Sequence, residues 1–319
     1  MIFGGSMVTG NIMSKGFRLV FLSVLVSLLR PATLLSGQII IDSNVQFHLA
    51  IKLMERNEYH LAVAEFERFI HFFPEDEKLP RALYLIGACY LNGKEYESAR
   101  KVFGNVCKAY PNSAIAGQAL FLIGESYYRQ GIQEEAKCYF KMVLDQYPEP
   151  GLTSAATYRL GWSYMQANKW RDASETFKVV EESSPLYANS QDLSRQSLKG
   201  EHLPHKYPTA AGVTAAIIPG LGHAYCNRYR DGLMAFLLNG LFIWAAVESF
   251  DQDHDVLGGI ISFLELGWYS GNIYSAVNCA HKHNRKVRND YRKSLSDKLD
   301  LELFTTRQAY PGLALKIRF

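Results

Sequence analysis

The chain has 319 residues, of which 48% are hydrophobic and 20% charged, with a net charge of +3. That length exceeds one ordinary domain, and so small a charge excludes the strongly basic surface expected of a general nucleic-acid binder. The five cysteines are odd in number and lack CxxC spacing, so they indicate neither a zinc site nor a disulfide framework and read as small buried hydrophobes.

Residues 1–37 form the first predicted element, a signal peptide or N-terminal anchor. Lys15 and Arg18 precede the apolar run Leu19 to Leu29, and Ser36-Gly37-Gln38 follows it. The run is short for a span, which favours cleavage near Gly37, although Leu35 is a poor cleavage residue.

Residues 45–189 carry a repeat. Pro74, Pro111, Pro148 and Pro185 recur every 37 residues, and so do Ala62, Ala99, Ala136 and Ala173, and Phe66, Phe103, Phe140 and Phe177. Gly87, Gly124 and Gly161 follow Ala50 at the same step. Apolar residues at three- and four-residue steps on either side of a polar break, such as Asn57-Glu58 or Asn92-Gly93-Lys94, predict one helical hairpin per repeat, about four in all. Small residues let the helices approach, phenylalanine is expected between neighbouring hairpins, and proline follows the second helix because it cannot continue it. A lone hairpin leaves one face unburied, so stacking supplies the core.

The order Ile86-Gly87, Tyr90, Ala99, Phe103, Pro111 resembles the tetratricopeptide-repeat family. The 37-residue period, with Tyr110-Pro111 and Tyr147-Pro148, is similar to its envelope members of the BamD and YbgF type. The resemblance implies an all-α solenoid that binds a peptide or protein. First helices line the concave side of such a stack, so the groove is expected at Tyr84, Phe121 and Tyr158, at Glu125 and Trp162, and at Asn92, Arg129 and Gln166. Aromatic side chains interleaved with Arg, Asn and Gln suit a bound peptide.

Residues 190–208, rich in Ser, Gln and Lys, read as a linker. Residues 209–280 read as a small helical transmembrane module containing three apolar stretches, 209–225, 233–249 and 256–280, and residues 281–319 as a basic C-terminal tail. Three crossings would keep Arg228, Arg230 and the tail inside and Asp251, Asp253 and Asp255 outside, as positive-inside charge bias prefers; two crossings remain the alternative. Pro219-Gly220-Leu221-Gly222-His223-Ala224-Tyr225, followed by Arg228, resembles the P-G-x-G-x-x-Y motif of the two-transmembrane-helix domain family. Glu265 falls inside an apolar stretch, with His223 or Arg228 as its expected partner.

No P-loop, dinucleotide fingerprint, HExxH, G-x-S-x-G or EF-hand spacing occurs, so no enzyme, cofactor, metal or small-molecule substrate is expected. The sequence predicts a non-enzymatic adaptor of the bacterial envelope, held at the inner membrane with periplasmic repeats and binding a protein or peptide. Two alternatives stand beside it. Glu265 would suit a transporter or channel subunit, and the alternation Leu313, Leu315, Ile317, Phe319 would suit an outer-membrane assembly factor.

Overall fold

A computed structural model describes residues 42–296 and the strand paths 300–304 and 312–316. The expected export signal, Ile317 and Phe319 lie outside these residues. The chain divides into units 1–45 and 46–319. Of the first, only the start of helix α1 is described, where the Asp42 carboxylate accepts the backbone N–H groups of Asn44 and Val45.

The repeat region is a series of antiparallel helix pairs, α1 (Ser43–Glu55) with α2 (Tyr59–Phe72), α3 (Leu79–Asn92) with α4 (Tyr96–Ala109), α5 (Ala114–Gln130) with α6 (Gln133–Gln146), and α7 (Pro150–Gln166) with α8 (Trp170–Lys178). The period has a conformational cause at each tight turn. Asn57, Lys94, Gly131 and Asn168 all take left-handed backbone, with φ of 62°, 65°, 79° and 59°. Glycine and asparagine tolerate that region, and one such residue between two helices reverses the chain.

The side chains keep the same step. Phe47 meets Phe66, Tyr84 meets Phe103, Phe121 meets Phe140 and Tyr158 meets Phe177, at centroid distances of 5.6, 5.8, 5.5 and 5.7 Å. The phenylalanine row therefore lies within each hairpin rather than between hairpins. A Cβ at Gly87, Gly124 or Gly161 would fall 2.5, 2.8 or 2.6 Å from that ring, which explains why this row is small.

Residues 190–208 are not a linker throughout. Helix α9 (Tyr187–Gly200) packs on α8, burying Ser190, Leu193, Ser194 and Ser197 and sharing a hydrogen bond of 2.9 Å between the Ser174 and Ser194 hydroxyls. Its serines are a closely packed face, not a flexible spacer. Gly200 admits the Trp170 ring, 2.5 Å from where a Cβ would sit.

Beyond it come α10 (Pro208–Ile217), α11 (Leu221–Tyr225), α12 (Tyr229–Asp251) and α13 (Asp255–Ser296). The stretch 209–225 is not one continuous apolar helix, as a third crossing would need. Helix α10 runs antiparallel to α13, with Asn284 bonding both backbone groups of Lys206, Gly212 close to Val277, and the Tyr269 hydroxyl donating to the Ala216 carbonyl at 3.0 Å. The chain then reverses at Gly220, whose φ is 87°, and α11 returns until the Tyr225 hydroxyl accepts the Tyr207 N–H at 3.2 Å.

The basic tail is also revised. Residues 281–296 continue α13 and end on the repeats, where Leu295 is buried in the same apolar core and the Tyr291 hydroxyl donates to the Gln196 carbonyl at 2.7 Å. Strand β1 (Asp300–Phe304) pairs antiparallel with β2 (Gly312–Lys316), Asp300 opposite Lys316.

Candidate functional site

The repeats bring together a polar cluster on α5 and α7. Glu125 is 2% exposed. It holds Arg129 of its own helix at 2.9 Å and Arg159 of α7 at 2.8 Å. Burial is the largest single influence on Arg159 and opposes its charge, but the Glu125 carboxylate together with Tyr128 and Tyr158 outweighs it and lifts the guanidinium above its ordinary pKa. The same guanidinium lies 5.0 Å from the centre of the Tyr128 ring. Burial pushes the Tyr128 phenol up to about 12, and its oxygen accepts from the Gln166 amide at 2.7 Å.

Gln166 also accepts from Gln133 at the start of α6, and its carbonyl accepts from Arg292 of α13. These groups open onto a cavity of about 380 Å³ lined by Tyr128, Gln133, Trp162, Gln166, Asn289 and Arg292, among others. Guanidinium and amide donors there can hold backbone carbonyls or carboxylates. Among the described residues no group of three or more His, Cys, Asp or Glu could hold a metal ion.

The expected groove residues separate into two sets. Tyr84, Phe121, Tyr158 and Trp162 are corrected from partner-facing to core, being at most 6% exposed and packed within their hairpins. Trp162 also borders the cavity, and the Tyr158 hydroxyl accepts from Asn189 at 2.8 Å. Glu125, Arg129 and Gln166 are brought together, whereas Asn92 sits half-buried at the end of α3, outside the cavity lining. Tyr128, Gln133, Arg159 and Arg292 were not foreseen. Tyr128 stands one helical turn beyond Glu125, a spacing that could have revealed it, but Arg292 lies 126 residues from Gln166.

In the second half, Pro219 follows α10 and Gly220 makes the reversal, where a Cβ would lie 1.9 Å from the Gly232 carbonyl. At Gly222 a Cβ would lie 2.1 Å from the Ala211 carbonyl. Tyr225 lies under the Lys206 ammonium at 4.7 Å, and Arg228 pairs with Asp231. Glu265 does not find its expected partners. His223 faces the Ser275 hydroxyl at 3.1 Å instead, and both Glu265 oxygens lack a hydrogen bond among the described residues. Cys226 and Cys279 share an apolar cluster with Ala211 and Ala280 as free thiols.

The tetratricopeptide-repeat family matches residues 81–113, 118–150 and 155–186. No curated protein matches the chain. Among solved structures, a tetratricopeptide repeat protein from Parabacteroides merdae is 14% identical, with coverage of 79% of this chain and 98% of its own and a TM-score of 0.40. MamA from Desulfovibrio magneticus is 16% identical, covering 67% and 97% at a TM-score of 0.37. The matched segments coincide with α3 to α8, and this part of the chain is an array of tetratricopeptide repeats.

Proposed function

We propose that this chain is a non-enzymatic scaffold of the bacterial envelope, similar in role to BamD- and YbgF-type repeat proteins, whose repeats hold a protein or peptide and whose last four helices tether it to the inner membrane. The binding reading is carried by Gln166, which with Tyr128, Gln133 and Arg292 lines an open cleft beside the buried ion cluster of Glu125, Arg129 and Arg159. Such a cleft suits an extended segment offering carbonyls and acidic side chains.

The tether is supported by α12, which among the described residues is the one helix long and apolar enough to cross a membrane, with only 17% of its apolar window buried. Its 23 residues extend about 34 Å at 1.5 Å each, enough for a hydrocarbon core of about 30 Å. Leu233, Phe236, Leu237, Leu241 and Trp244 face outward from it, as do Ile260, Phe263 and Leu264 from α13. The charged and apolar order of residues 15–37 supports an exported position for the repeats.

The test is affinity capture from envelope extracts with the detergent-solubilised full chain. A specific envelope protein is expected with the native chain and lost with Arg129→Glu plus Gln166→Ala. Recovery of the same protein by that variant, or of none by the native chain, overturns the binding reading.

A further inference from the structure

We infer that the helical module crosses the membrane twice, carries α10 and α11 as a half-inserted hairpin, and closes its solenoid-side end with a basic collar that binds anionic phospholipid headgroups. This rests on the tether proposed above and adds to it a crossing number, a sidedness and a lipid class.

The geometry excludes a third crossing. Helix α10 has ten residues, about 15 Å of rise, roughly half a bilayer core. It descends beside α13 from the level of Asn284 to that of Tyr269, reverses at Gly220, and comes back at Tyr225 to the level of Tyr207. Its inner face, Ala211, Gly212 and Ala215, is covered by the rest of the module, while Val213, Ile217 and Ile218 point outward. Helix backbone satisfies its own polar groups, so such a half-inserted hairpin is tolerated in hydrocarbon provided its turn is covered. Here the turn is closed by Gly232, against which Gly220 lies too tightly to admit a Cβ.

The second crossing is made by the part of α13 packed against α12, where Ile260, Phe263 and Leu264 face outward and Glu265 is buried. It returns the chain to the side on which α12 begins, and the last turns of α13 are fixed to the repeats through Tyr291 and Leu295. The two ends of the hairpin then differ in charge. The far end holds Glu248, Asp251, Asp253 and Asp255. The near end holds Lys206, bonded to Asn284 and stacked on Tyr225, with Arg228 and Arg230 at the start of α12 and exposed Lys282, Arg285 and Lys286 flanking Asn284. Tyr207 and Tyr229 are exposed at the same level, as aromatic residues are at a headgroup boundary. Among the described residues, Arg228 is the one of these cations in an ion pair, with Asp231. With the repeats exported, the collar lies where basic residues are normally avoided, so a local anionic surface is the partner its chemistry fits.

The test uses the full chain in vesicles and nanodiscs. Cysteine probes replace Glu97, Gln252 and Ser296 one at a time in a chain whose native cysteines are alanine, and an impermeant maleimide is applied to sealed vesicles. Probes 97 and 296 are expected on one side and 252 on the other. Probes 97 and 296 on opposite sides would overturn the inference while leaving a membrane tether intact, whereas a chain washed from vesicles by carbonate would remove the tether itself. In nanodiscs of equal phosphatidylglycerol and phosphatidylcholine, mass spectrometry of retained lipid is expected to show phosphatidylglycerol enriched by about fivefold or more. That enrichment disappears in Lys282→Glu/Arg285→Glu/Lys286→Glu, which keeps its side assignments. No enrichment, or enrichment unchanged in the triple variant, overturns the collar.

Discussion

Arg159 on α7 reaches Glu125 on α5, its Nε 2.8 Å from one carboxylate oxygen and its Nη2 3.0 Å from the other. Two neighbouring repeats are thus joined across the groove by an ion pair whose side chains are 14% and 3% exposed. Removing one member of a buried pair leaves the other charged and without its counterion, which costs more than the pair itself contributes. Glu125→Ala is expected to lose about 3–5 kcal/mol, and Glu125→Leu with Arg159→Met much less. Thermal unfolding of the two variants decides it, and equal losses would show that packing, not charge, holds this contact.

The glycine row makes a steric prediction with an internal control. Gly87→Ala, Gly124→Ala and Gly161→Ala each place a methyl within 2.8 Å of a phenylalanine ring and should cost about 1–3 kcal/mol. Gly104, inside α4, has nothing within 4 Å of its would-be Cβ. Gly104→Ala should therefore stabilise by about 0.5–1 kcal/mol through helix propensity alone. Denaturant midpoints of the four variants should show opposite signs.

The solenoid was legible because its period places one residue type at one recurring contact, glycine against phenylalanine, and because each hairpin needs the same turn. The groove was misread for the same reason. Tyr84, Phe121 and Tyr158 recur because they pack on the phenylalanine row, so their regularity marked core rather than surface. The features that build the polar cluster and the cleft beside it do not repeat. Arg159 and Gln133 have no equivalents at the 37-residue step, since Leu122 and Tyr96 stand there. Helix α9 escaped notice because serines, not aliphatic residues, form its inner face. The docking of Arg292 and Leu295 is long-range, and no local pattern encodes it.

Lys94 occupies the left-handed turn position that its counterparts fill with Asn57, Gly131 and Asn168. A side chain with a full Cβ and no local hydrogen bond from that position is disfavoured there by about 1–2 kcal/mol relative to glycine. Lys94→Gly or Lys94→Asn is expected to raise the unfolding midpoint. A midpoint that falls instead would mean that the lysine side chain contributes more than the turn costs.

Burial also sets an alkaline limit. It raises the Cys89 thiol from 9.0 to about 12, and the Tyr128 phenol from 10.0 to about 12. Both groups are protonated in either state below pH 9, so their contribution is then complete. Above that the unfolded chain loses its protons first, and stability declines as pH climbs toward 12, by about 1.4 kcal/mol per pH unit for each group that has ionised only when unfolded. Cys89→Ala should reduce the slope of unfolding free energy against pH in this window by about one proton. An unchanged slope would show that the thiol ionises equally in both states.

The end of α13 is polar along most of its length, and so short a run of lysine, arginine and asparagine has little helical stability of its own. Its order depends on four attachments to the helices before it: the Tyr291 hydroxyl on the Gln196 carbonyl, the Tyr291 ring 6.1 Å from that of Trp170, the Arg292 guanidinium on the Gln166 carbonyl, and Leu295 in the core. Tyr291→Phe removes the hydrogen bond alone, worth about 0.5–1.5 kcal/mol, while Leu295→Ala removes burial worth about 2–5 kcal/mol. Amide exchange over 285–296 should quicken modestly in the first variant and by more than about tenfold in the second, with residues 256–275 unaffected. If both variants exchange like the native chain, the segment is helical without its dock, and the repeats are not held to the helical module through it.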